Sequence, residues 1–231
     1  MRIFGTLLFF QFIILTIPFL SLYGQVKSDT TFLLRPSISN GYQAVFLEKK
    51  NSEFHHKIFE NFRMDSSELY VKSSSEIADK SDSSTFGEWI SIYMHNKKAY
   101  SYAPSEPYFN LYLNVMDSLI AFNDFNEGII PSAIVETKNK NPLQIAYKTE
   151  SSNSEYSEVV FHFLNKKRNI AVVEFPRSKN RYFLVAKKQY FFNLPIIVNY
   201  CPESRCLEWK FDKINFQRLI SKKQKKNINK K

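Results

Sequence analysis

Between residues 86 and 188 the chain is a succession of short segments in which apolar and polar side chains alternate, separated by polar turns. A strand points successive side chains to opposite faces, so a half-buried strand leaves a period of two. Leu143, Ile145 and Tyr147 share one face of such a segment. Phe109, Leu111 and Leu113 share one in another, and Val159, Phe161 and Phe163 oppose Val160, His162 and Leu164 in a third. The intervening stretches Asn139-Lys140-Asn141-Pro142, Asn165-Lys166-Lys167-Arg168-Asn169 and Arg177-Ser178-Lys179-Asn180 carry turn chemistry. They are too short to house a crossover helix, so the pattern predicts sequential antiparallel pairing. About eight strands are expected, over 89–94, 108–113, 119–123, 132–137, 143–149, 158–164, 170–175 and 181–187. Eight up-and-down strands can close on themselves and remove both exposed edges. The expected fold is therefore mainly β: an antiparallel up-and-down barrel, with an N-terminal extension and a C-terminal hairpin appendage.

The first of these strands opens with Gly87-Glu88-Trp89. Gly87-x-Trp89 in that place resembles the Gly-x-Trp signature of lipocalins and related calycin barrels. In that family the Trp packs across one end of the barrel and a basic residue from a late strand lies over its indole. The resemblance assigns that partner to Arg181, with Arg177 second, and covers about the middle half of the chain. The family's Thr-Asp-Tyr run has no counterpart here, and a segment of some fifty residues before the barrel is also unlike the family. An open sheet or sandwich with Trp89 as an ordinary core residue is the competing reading.

Composition suits such a core. Apolar residues make up 44% of the 231 and aromatic residues 16%, whereas only 5 glycines are present, too few for a phosphate-binding loop. The formal charge of +10 is mostly a matter of the ends: the six lysines at 222, 223, 225, 226, 230 and 231, with Arg2, supply seven of the ten. The body is only mildly basic, which argues against nucleic acid as a partner.

Arg2 precedes an uncharged run from Ile3 to Tyr23, followed by Gly24-Gln25. Residues 1–24 read as a secretory signal peptide cut after Gly24, placing the protein in the periplasm or outside the cell. An uncleaved membrane anchor is the alternative. Residues 25–85 form an extension ahead of the barrel domain at 86–188. Within it Gln43 to Glu48 is β-prone, and Phe54, Ile58 and Phe62 fit either a helix begun by Ser52 or a strand. Serine-rich stretches at 73–75 and 81–84 read as linker.

Residues 189–220 form the appendage. An apolar run from Phe191 to Tyr200 is expected to cover the barrel or add an edge strand, because Pro195 disfavours a central one. Leu207, Trp209 and Phe211 alternate with charged residues, suggesting a second strand. Between these runs lie the two cysteines, Cys201 and Cys206. In an oxidising compartment that spacing predicts a disulfide pinning a hairpin. The lysine-rich end, 221–231, is expected to be disordered, with contact to an anionic surface as the alternative.

The motifs of hydrolases, nucleotide-binding loops and zinc proteases are missing. His55 and His56 diverge on either a helix or a strand, so a shared metal ion is not expected. Asp124 and Glu127 read as loop carboxylates in preference to an acid–base pair. No cofactor is implied. The functional expectation is a non-enzymatic exported barrel binding a small apolar ligand, with Phe109, Leu111, Ile145, Phe161 and Phe163 as the candidate lumen. The alternative is a structural or interaction module of the cell envelope with a filled core.

Overall fold

The structure is a computed structural model and describes residues 30–60, 62, 82–106, 109–124, 128–151, 153–165, 167, 169–202 and 206–228. The expected signal peptide, the serine stretch at 73–75 and Glu127 lie outside these residues. Before the barrel come β1 (Thr31–Leu34), β2 (Ala44–Glu48) and helix α1 (Glu53–Glu60). Then follow β3 (Gly87–Ser91), β4 (Tyr93–His95), β5 (Lys98–Ala103), β6 (Tyr112–Val115), β7 (Leu119–Asp124) and β8 (Gly128–Asn141). The chain continues through β9 (Gln144–Glu150), β10 (Glu158–Phe163), β11 (Ile170–Glu174) and β12 (Tyr182–Lys187). It ends with a helical turn α2 (Lys188–Phe191), β13 (Ile196–Tyr200) and α3 (Phe216–Ile228).

Eight strands close into an antiparallel barrel in the order β3-β6-β7-β8-β9-β10-β11-β12, and β12 returns to pair with β3. Apart from the β4–β5 hairpin inserted after its first strand, the barrel is a simple meander. The period of two is realised in its core. Leu111, Leu113, Ile145, Tyr147, Val159, Phe161 and Phe163 all belong to one buried cluster with Trp89, Phe122, Val173 and Phe175. Val160, His162 and Ala146 occupy the alternate, outward positions of their strands and are also buried.

A second sheet, in the order β1-β2-β13-β5-β4, uses strands from before, within and after the barrel sequence. The expected C-terminal hairpin is corrected here. β13 lies between β2, antiparallel, and β5, parallel, so it is a central strand. Pro195 is compatible with this because it stands just ahead of β13, and its carbonyl accepts from Ser101 N at 3.0 Å. Residues 207–212 are not a strand. Leu207 is exposed, whereas Trp209 and Phe211 pack on Val45, Tyr100, Tyr102 and Ile197. Of the stretch expected to be disordered from 221, α3 takes in the residues up to Ile228, and 229–231 lie outside the described residues.

Side chains pointing out of the barrel from β3, β6, β11 and β12 join the inward face of the second sheet. Ile90, Tyr112, Val172 and Leu184 cluster with Ile58, Phe59 and Phe62 and with Phe191, Ile196 and Val198. Phe62 stacks on Tyr112 with ring centroids 4.7 Å apart. Phe54 and Ile58 lie on α1, which buries Ile58 and Phe59, whereas Phe62 stands past its end in a turn.

Candidate functional site

The barrel interior is the place the sequence nominated. Trp89, Ile145 and Phe161 are at most 1% exposed, Phe163 is 2% and Leu111 7%. The rings touch one another: Trp89–Phe161 centroids lie 5.4 Å apart, Tyr147–Phe161 6.1 Å and Phe161–Phe163 6.2 Å. Towards the other end Phe122 stacks on Tyr156 at 5.3 Å, and Phe175 meets both edge-on. An eight-stranded barrel has an interior that side chains can just fill, or that small residues can leave open for one ligand. Here bulky rings occupy it.

Phe109 is a correction to the candidate lumen. It packs against the cluster of Val45, Tyr102 and Ile197 on the second sheet and stacks with Tyr93 at 6.1 Å. The reason lies in its neighbour. Asn110 is buried, donates to Tyr102 O and accepts from Asn123 Nδ2, so the chain is tied off before β6 begins and Phe109 leaves the strand register.

At the Trp89 end, a turn that the sequence presented as linker is part of the structure. The indole Nε1–H donates to Thr85 O at 2.7 Å, Thr85 Oγ1 lies 2.6 Å from Tyr147 Oη, and Asp82 N donates to the same hydroxyl at 3.1 Å. Thr85 is fully buried. Gly87 starts the strand at φ 101°, a conformation that glycine takes without steric cost. The cation over the indole is Lys187, its Nζ 5.3 Å from the ring centroid, in place of Arg181. Register decides this: Lys187 is the direct cross-strand partner of Trp89, whereas Arg181 precedes the opposite end of β12. Arg181 donates to Glu174, which also meets His162 Nε2 at 2.7 Å. Arg177 is exposed in the turn that leads to the same end. Burial lowers the Lys187 amine below its ordinary range.

Cys201 and Cys206 form a disulfide with Cα atoms 5.8 Å apart. The segment after it is fastened by a polar network that the sequence did not announce. Glu208 accepts from the Tyr102 hydroxyl, from Asn199 Nδ2 at 3.1 Å, from Ser105 Oγ at 2.6 Å and from Glu106 N at 2.9 Å. Gln43 Nε2 donates to Asn199 Oδ1 at 2.7 Å and to Leu207 O at 2.6 Å. Burial first, and the Glu208 carboxylate second, raise the Tyr102 hydroxyl well above the ordinary phenol range. Every carboxylate oxygen of Glu208 is thus engaged in holding chain to chain.

His55 is likewise occupied. Its Nδ1 faces Ser52 N at 3.2 Å and its Nε2 meets Leu194 O at 3.1 Å, so the ring closes the start of α1 and joins it to the C-terminal segment. Among the described residues no group of three metal-ligating side chains converges. Burial, opposed in part by the Leu194 carbonyl, lowers the His55 pKa, and the folded state therefore favours the neutral ring. Stability from this site is complete above the unfolded pKa of about 6.5 and is lost as pH falls below it, at up to about 1.4 kcal/mol per pH unit. Urea unfolding at pH 7.5 and 5.5 is expected to show a larger acid loss in the native chain than in His55→Gln. Equal losses would contradict the assignment.

A cleft of about 260 Å³ lies outside the barrel, between α1 and the second sheet, with Phe54, Ile58, Ala103 and Val198 among its walls and Lys57 and Tyr200 at its lining. Lys57 is already within 3.7 Å of Glu53. No protein-family model, curated protein or solved structure matches the chain.

Proposed function

We propose that this chain is an exported, non-enzymatic module of the cell envelope, in which the barrel is a filled scaffold and the outer surfaces make the contacts. The supporting observation is the ring-to-ring packing of Trp89, Tyr147, Phe161 and Phe163, all buried to 2% exposure or less. Buried polar groups such as Tyr102, Asn199 and His55 are engaged in fastening segments together, which leaves no convergent acid, base and nucleophile among them. Export is supported by the leader-like first 24 residues and by the Cys201–Cys206 disulfide, a bond that persists in oxidising compartments.

A lipocalin-like relationship is the finer reading of the barrel. Gly87 and Trp89 at the head of its first strand, and the Lys187 ammonium over the indole, support it. The ligand-carrying role of that family fits less well, because a lumen would require the Phe161 and Phe163 rings to move aside. The test is titration of the purified oxidised protein with a fluorescent fatty acid. No saturable uptake is expected. Stoichiometric uptake that disappears in Leu111→Trp would overturn the filled-scaffold reading in favour of a carrier.

A further inference from the structure

The end of the chain carries charge in a form that a flexible tail would not. From Lys213 to Lys231 the sequence holds eight cations and no acid. Much of this stretch is helical: α3 spans Phe216–Ile228, and Asn215 Oδ1 accepts from Arg218 N at its start. A run of lysines alone repels itself and disfavours order. Here the first two turns are docked. Phe216 stacks on Tyr182 with centroids 5.7 Å apart, and Ile214, Leu219 and Ile220 pack on the outward cluster that contains Val172, Leu184 and Ala186. The lysines follow in the C-terminal half, where the helix dipole favours positive charge.

The docking also fixes which way the charge faces. Phe216 and Ile220, four apart, share the packed side of the helix, and Arg218 and Lys222, four apart, lie about half a turn away. Lys213, Arg218 and Lys222 are exposed, and among the described residues none of them has a carboxylate partner. Elsewhere Glu136 sits between Lys138 and Lys148, and Glu88 beside Lys188. On the described residues of α3, no carboxylate pairs with Arg218 or Lys222.

From this we infer that α3 is a peripheral attachment site for an anionic lipid surface. The apolar side of the helix is spent on the barrel, so the contact is electrostatic and does not insert side chains into the bilayer. Lysines act as point charges and suit a diffuse sheet of headgroups, whereas base recognition and phosphate forks favour arginine and stacked aromatics. The exposed side offers one arginine, and the only aromatic residue of the helix, Phe216, is packed against Tyr182. The inference is independent of whether the barrel is filled.

Co-sedimentation of the full chain, without its leader, with phosphatidylcholine vesicles containing or lacking about 30% phosphatidylglycerol tests it. Binding is expected only to the anionic vesicles, and high salt should weaken it about tenfold or more. Arg218→Gln, Lys222→Gln, Lys223→Gln, Lys225→Gln and Lys226→Gln together should abolish binding while leaving the near-ultraviolet circular dichroism unchanged. The control Lys138→Gln/Lys148→Gln should bind as the native chain does. Equal binding to neutral vesicles, binding that survives the five substitutions, or retention by duplex DNA without any by vesicles would each overturn the proposal.

Discussion

Phe161→Ala is expected to lower the unfolding free energy by about 3–5 kcal/mol, the range for removing a fully buried aromatic ring from a packed core. The ring is 0% exposed and meets Trp89, Tyr147 and Phe163. Each is held in turn, Trp89 and Tyr147 through Thr85, so collapse into the space is restricted. For a domain of this size the loss corresponds to a fall in Tm of roughly 6–20 °C. The vacated volume, lined by apolar side chains, should also bind a small aromatic probe that the native protein excludes. The result to look for is the pair: large destabilisation with newly acquired probe binding. A loss of about 1 kcal/mol or less would mean that the ring is loosely packed, and the filled-scaffold reading would fail with it.

Glu208→Ala is expected to cost about 3 kcal/mol, more than a surface carboxylate normally contributes. The alanine leaves the buried Tyr102 hydroxyl without its acceptor, while Asn199 Nδ2 keeps Leu207 O at 3.1 Å. Ser105 Oγ and Glu106 N lose theirs as well. Glu208→Gln retains an acceptor and should recover part of the loss. Hydrogen exchange gives a local reading: the amide of Trp209, which donates to Tyr102 Oη at 2.9 Å, should lose protection in the alanine variant before the barrel strands do. Unchanged protection at Trp209 would show that the segment is held without Glu208.

The barrel was legible because its signal is local. Period-two alternation, interrupted by Asn, Lys and Pro turns, located strands close to their observed bounds from Leu119 onwards, except β8, expected over 132–137 but running Gly128–Asn141. Those segments pair with chain neighbours, so order along the sequence is also order around the barrel. The misreadings fall where pairing is distant or polar contacts override alternation. The first predicted strand divides at Ile92, whose N–H still donates to Leu184 O before the chain leaves as a hairpin. That hairpin turns at Asn96 and Lys97, both at positive φ, and only the asparagine hints at it. Phe109 had the correct spacing but lies beyond the point where Asn110 interrupts the strand.

The second sheet was illegible for a different reason. β13 finds β2 some 150 residues earlier and β5 in parallel. No short-range pattern encodes such a meeting. Glu208 and His55 were equally opaque, since each takes its meaning from groups far along the chain, Tyr102 and Leu194. Leu111, Ile145, Phe161 and Phe163 share one buried cluster in the barrel interior. Whether the interior is open or full depends on ring sizes summed around the circumference, which a single strand does not reveal.

The order of the second sheet has a consequence for biogenesis. Its middle position is filled by β13, which among the described strands is made last, while β1 and β2 are made first. All eight barrel strands can meet as the chain is made, yet β2 and β5 must wait, edges bare, until residues 196–200 arrive between them. A chain that stalls or is clipped just short of that point keeps its cylinder and presents two unsatisfied edges to its neighbours, so the arrival of β13 is the step that removes this route to aggregation.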